Sequence, residues 1–108
     1  MYKVRQNDIS LTRGDTMTLK LALKMDTGEE YKPKTDDTIL FTVKKNVNDK
    51  AVIIQKTAVN GYIAVQPSET ENLAYGNYCY DVELRAADGS VMTVITPHLF
   101  RICEEVTF

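Results

Sequence analysis

Apolar and polar residues alternate one for one along several stretches of this chain. Tyr78, Tyr80, Val82 and Leu84 are interleaved with Asn77, Cys79, Asp81 and Glu83. A period of two marks a strand with one face in a core and the other in water. Met17, Leu19, Leu21, Leu23 and Met25 alternate in the same way with Thr16, Thr18, Lys20, Ala22 and Lys24, and this is the cleanest run in the protein. Ile39, Phe41 and Val43 open another strand, which fades into Lys44-Lys45-Asn46. Asp8 to Arg13 reads as a short first strand, and Ala51 to Thr57 as one whose inward face is unset because Ile53 and Ile54 adjoin. Tyr62 to Gln66, a run from Val91, and Phe100 to Thr107 complete the pattern.

Turn chemistry separates these runs. Asp26-Thr27-Gly28 and Ala87-Asp88-Gly89 each end one, and the polar segment from Glu29 to Asp37 holds Pro33 and reads as a loop or weak edge. Asn60-Gly61 is the strongest hairpin signal, because both residues tolerate the positive φ of a type I′ turn. It predicts that Tyr62–Gln66 returns alongside Ala51–Thr57. Pro67 to Glu71 breaks the β pattern; Ser68 with Glu71 three residues on predicts a capped helical turn, with Gly76 a terminator before the Tyr78 strand. The expectation is an all-β sandwich of about seven antiparallel strands with one short helical turn.

Length and composition set the scale. The 108 residues, read as one domain over 1–108, are 44% hydrophobic, which suffices for a core without metal or disulfide support. Thirteen basic and fifteen acidic residues leave a net charge of −2, without the basic footprint of a nucleic-acid binder. No stretch approaches the roughly 20 apolar residues of a membrane span, and MYKVRQNDIS lacks the apolar run of a secretory signal. Synthesis in a cytoplasm with no signal peptide is the expectation. Parity places Cys79 and Cys103 on outer faces, and a hairpin turning around Asp88 registers Cys79 near Pro97, well short of Cys103. Two free thiols are expected.

Candidate chemistry is thin. Arg13-Gly14-Asp15 matches the tripeptide of integrin ligands, a very weak signal, and reads as a tight turn between the first two strands in which Gly14 supplies backbone freedom and Asp15 bonds locally. His98 is the one histidine, and residues five apart in a strand point to opposite faces, which separates it from Cys103. The acidic pairs Glu29-Glu30, Asp36-Asp37 and Glu104-Glu105 match no ordered calcium loop. Tyr2, Tyr31, Tyr62 and Tyr75 are scattered candidates for stacking on a sugar, with Tyr62 on the face opposite Ile63 and Val65. No catalytic, cofactor-binding or metal-binding residue is assigned, and an enzyme is not expected.

The Gly76-Asn77-Tyr78-Cys79-Tyr80 segment resembles the tyrosine corner that opens strand F of immunoglobulin-like sandwiches. Three longer segments, DISLTRGDTMTLKLAL, TILFTVKKNVNDKAVIIQKT and LAYGNYCYDVELRAADGSVMTVI, are followed by FRICEEVT. The series resembles the small immunoglobulin-like proteins of tailed bacteriophages and prophages. That group includes the N-terminal domain of the baseplate upper protein of phages that infect Gram-positive hosts. The likeness covers nearly the whole chain. Its most specific pieces are Thr12–Thr16, Phe41–Lys45 and Gly76–Leu84. The chain departs from the pattern between Glu29 and Thr38 and in the long Thr96-Pro97-His98-Leu99 approach to its last strand.

The resemblance implies a virion structural protein, a tail or baseplate module that contacts other virion proteins and forms a homo-oligomer, without nucleic acid, membrane or cofactor. Its interfaces are expected at sheet edges or outer faces, first on the Phe41-Thr42-Val43-Lys44-Lys45 strand and on Phe100–Thr107. The alternative is a stand-alone sandwich that binds a carbohydrate or protein of the cell surface.

Overall fold

The computed structural model describes residues 2–21, 23, 28–30 and 36–104. Among them are eight strands: β1 (Tyr2–Arg5), β2 (Asp8–Thr12), β3 (Met17–Lys20), β4 (Thr38–Lys44), β5 (Ile54–Thr57), β6 (Tyr62–Val65), β7 (Gly76–Arg85) and β8 (Val91–Cys103). A 3-10 turn, Pro67–Glu69, precedes β7. Six strands form one sheet in the order β1-β2-β8-β7-β4-β5, and β3 pairs with β6 in a second. Met17 of β3 and Ile63 and Val65 of β6 share one buried cluster with the inward residues of the large sheet. The result is an all-β, sandwich-like fold.

The alternation seen in the sequence sets which side chains fill this core. Ile39, Phe41 and Val43 of β4 and Tyr78, Tyr80, Val82 and Leu84 of β7 are buried, while their neighbours stay half-exposed. Phe41 lies at the centre, with ring centroids 5.1 Å from Tyr80 and 6.0 Å from Phe100. Such tilted and edge-on aromatic pairs each add about 0.5–1.5 kcal/mol beyond the area they bury. The Tyr78 hydroxyl donates to the Ala74 carbonyl at 2.8 Å, four residues upstream.

Five expectations need correction. The strands are not all antiparallel: β2 runs parallel to β8, with Ile9 opposite Phe100. The N-terminal residues form a further strand, β1, because Gln6 and Asn7 adopt φ of 50° and 69° and turn the chain back on itself. Asn60 and Gly61 do make the expected turn, with φ of 52° and 84°, but it does not return the chain alongside β5. A single bridge, Val59 to Tyr62, closes it, after which β6 pairs with β3 in the other sheet. The helical turn is capped by Glu69, whose carboxylate accepts from the Gln66 amide at 2.7 Å, rather than by Ser68 with Glu71.

The fifth correction concerns β8. The Val91 run and the last strand are one continuous element, made so by two bulges opposite β7. Thr96 and Pro97 together oppose Asp81, since His98 pairs with Tyr80 and Ile95 with Val82. Val94 is the second extra residue, between the Val82–Ile95 and Glu83–Thr93 pairs. A bulge accommodates proline because the ladder is already interrupted there. The two insertions also move Cys79 from the expected register near Pro97 to Leu99. Of the Met17–Met25 run, Met17–Lys20 is strand, and Leu23 is buried. Ala22, Lys24 and Met25 lie outside the described residues.

Candidate functional site

The outer face of the large sheet carries a shallow cleft of about 220 Å³ across β4, β5 and β7. Strand alternation builds it: Leu40, Thr42 and Lys44 from β4 and Cys79, Asp81, Glu83 and Arg85 from β7 all point away from the core. Val47 and Val52, from the loop joining β4 to β5, form one wall, and Pro97 of the bulge another. Gln55 Nε2 donates to Thr42 Oγ1 at 3.2 Å within the cleft. Burial and the neighbouring Glu83 carboxylate raise the Asp81 pKa, partly offset by Lys44. Glu83 pairs with Arg85 at 2.7 Å. The volume falls below the roughly 300 Å³ at which small-molecule pockets begin.

The chemistry expected to be thin is dispersed by the fold. His98 pairs with Tyr80 on the core side, with ring centroids 6.5 Å apart, and its Nδ1 lies 2.5 Å from the Thr96 carbonyl oxygen. Cys79 points to the outer face, where its Sγ approaches the Lys44 carbonyl oxygen at 3.4 Å. The sheet itself therefore separates imidazole from thiol. Cys79 and Cys103 are both free. Among the described residues no group of three or more His, Cys, Asp or Glu is placed to hold a metal ion. Glu105, one half of an acidic pair, lies outside them.

Arg13-Gly14-Asp15 is a structural turn. The Asp15 amide donates to Thr12 at 3.0 Å, Gly14 has φ of 82°, and the Gly14 amide donates to Thr70 Oγ1 at 2.9 Å. Arg13 reaches the Leu73 carbonyl at 3.2 Å and stacks its guanidinium 4.1 Å over the Tyr75 ring. The candidate sugar-stacking tyrosines occupy separate elements. The Tyr2 hydroxyl donates to the Thr18 carbonyl at 2.7 Å, Tyr75 carries the Arg13 guanidinium while staying exposed, and Tyr62 is exposed on β6. Tyr31 lies outside the described residues.

Of the two strands expected to carry interfaces, β4 is interior, flanked by β5 and β7, so only its outer face is available. Val106 and Phe108 lie outside the described residues. β1, which the sequence pattern did not reveal, ends the large sheet with all four residues exposed. The signal for it was Gln6-Asn7, a pair poor in turn-forming glycine and therefore easy to pass over. No helix of the described residues is long and apolar enough to cross a membrane. Comparison with protein-family models, with curated proteins and with solved structures finds no match to this chain.

Proposed function

We propose that this chain is a non-enzymatic, immunoglobulin-like structural module of a bacteriophage or prophage tail or baseplate, acting through protein–protein contacts. Three features support the fold part of the reading. The first is the parallel β2–β8 pair beside an antiparallel β8-β7-β4-β5 array, with β3 and β6 in a separate layer. The second is the Tyr78 hydroxyl bonded back to Ala74, with the helical turn just before it. The first supports a two-layer sandwich, and the second supports a tyrosine corner like that of immunoglobulin domains. The third is the likeness of three long segments to the phage proteins.

The observation that carries the functional part is that the large sheet keeps open edges among the described residues, at β1 and along β8 from Val91 to Thr96, where β2 does not cover it. Exposed edges invite pairing with another chain. Absolute mass by light scattering over a concentration series tests the reading. A stable oligomer supports it, whereas a strict monomer at high concentration favours the stand-alone binding module.

A further inference from the structure

We infer that the chain self-associates through the open half of β8, pairing Val91–Ile95 antiparallel with the same segment of a second copy about a two-fold axis at Thr93. The inference rests on the assembly reading and names its surface and partner.

β2 covers β8 only from Phe100 to Cys103. From Val91 to Thr96, β8 pairs with β7 on one side, and no described residue pairs with it on the other. Alternate residues of such a strand direct their N–H and C=O groups outward, unpaired. The segment is Val-Met-Thr-Val-Ile-Thr: rich in β-branched residues, with four of its six apolar, and without charge. Val91 is 58% and Met92 49% exposed. Natural edges are usually blunted by charge, by proline or by shortness. The other open edges here obey that rule. β1 carries Lys3 and Arg5, β3 carries Lys20, β5 carries Lys56, and β6 is only four residues long. On β8 Pro97 stands just beyond the segment, and the Val94 bulge is the one such device within it.

Charge also selects the occupant. Two β1 edges meeting would bring Lys3 and Arg5 against their copies, whereas two Val91–Ile95 segments bring no charge together. A two-fold at Thr93 sets Val91 opposite Ile95 and Met92 opposite Val94, each pair apolar, with Thr93 opposite itself. Threonine pairs across antiparallel strands are favourable. The sequence is thus complementary to its own reverse.

The test compares the wild-type chain with Thr93→Lys, a change at an exposed position. Light scattering is expected to show the wild-type mass falling by half in the variant, with circular dichroism unchanged and a cooperative unfolding transition retained. A second arm uses Thr93→Cys on a Cys79→Ser, Cys103→Ser background, with Lys3→Cys on the same background as control. Residues opposite one another across antiparallel strands lie about 4.5–5.5 Å apart at Cα, within disulfide reach. Mild oxidation is expected to give a covalent dimer from the residue-93 variant and not from the control. An oligomer whose mass survives Thr93→Lys overturns this interface and leaves the assembly reading standing. A wild-type chain that stays monomeric at high concentration overturns both.

Discussion

The amide of Gly14 donates to the side-chain hydroxyl of Thr70 at 2.9 Å, joining the turn between β2 and β3 to the helical turn before β7. Thr70 is the buried polar side chain among the described residues, at 0% exposure. Thr70→Val keeps the shape and removes the acceptor, leaving the Gly14 amide without its partner. A loss of about 1–3 kcal/mol is expected on that ground. Urea unfolding checks it, and Thr70→Ser should recover most of the loss because the hydroxyl returns. Equal stability in all three chains would show that the contact contributes nothing net.

Tyr78 is expected to act through both its ring and its hydroxyl. The ring is buried and lies beneath the Lys45 ammonium, 4.6 Å from its centroid, while the hydroxyl holds Ala74. Tyr78→Phe retains the packing and drops one hydrogen bond, for an expected cost of about 1 kcal/mol. Tyr78→Ala empties the site and should cost about 3–5 kcal/mol. Thermal unfolding of the two variants separates the contributions. A phenylalanine variant as damaged as the alanine one would give the hydroxyl the larger share.

The inward faces of β4 and β7 were legible because period-two alternation is the direct trace of burial on one side. Phe41, Tyr78, Tyr80 and Leu84 are where it put them. The same rule failed on β8, since Thr96-Pro97 and Val94 each add a residue and invert the parity of the positions beyond. Val91, Met92, Val94 and Ile95 consequently show no alternation to read. Pairing was less legible still. Asn60-Gly61 specifies a reversal of direction, but which strand receives β6 depends on the distant Met17–Lys20 segment. The cleft was not legible at all, because Val47, Asp81 and Pro97 meet only through the β4–β7 register and the bulge.

The Asn60-Gly61 turn moves the chain between sheets, and its backbone conformation should be more important than its contacts. Gly61 has φ of 84°, and a Cβ placed there would meet nothing within 4 Å. Gly61→Ala therefore introduces backbone strain without a clash, with an expected cost of about 1–2 kcal/mol. Gly61→Asn should cost less, because asparagine tolerates the left-handed region better. Chemical denaturation of the pair checks the order. An alanine variant as stable as the parent would mean that the turn relaxes without disturbing β6.

Tyr80 supplies the one pH dependence whose sign and window are both defined. Burial, and then the Asp8 carboxylate, push its phenol up to about 12. The hydroxyl donates to the Asn7 carbonyl, so the neutral form also holds the β1–β2 turn. In the unfolded chain the same phenol titrates near pH 10. Between these values the folded state retains a proton that the unfolded state releases, so stability falls as pH rises. The contribution is fully present below about pH 10 and is lost progressively as pH rises to about 12. Tyr80→Phe should lower stability at neutral pH by about 1 kcal/mol, through the lost hydrogen bond. It should also flatten the decline above pH 10, because no buried phenol remains to ionise at this site. Urea unfolding at pH 7, 10, 11 and 12 measures both effects, and the difference between the chains cancels the other tyrosines. Asp8→Asn removes a negative charge that opposes ionisation, so it should lower the folded-state pKa of the phenol and end the decline at a lower pH. A Tyr80→Phe chain that declines as steeply as the parent would place the alkaline sensitivity elsewhere in the molecule.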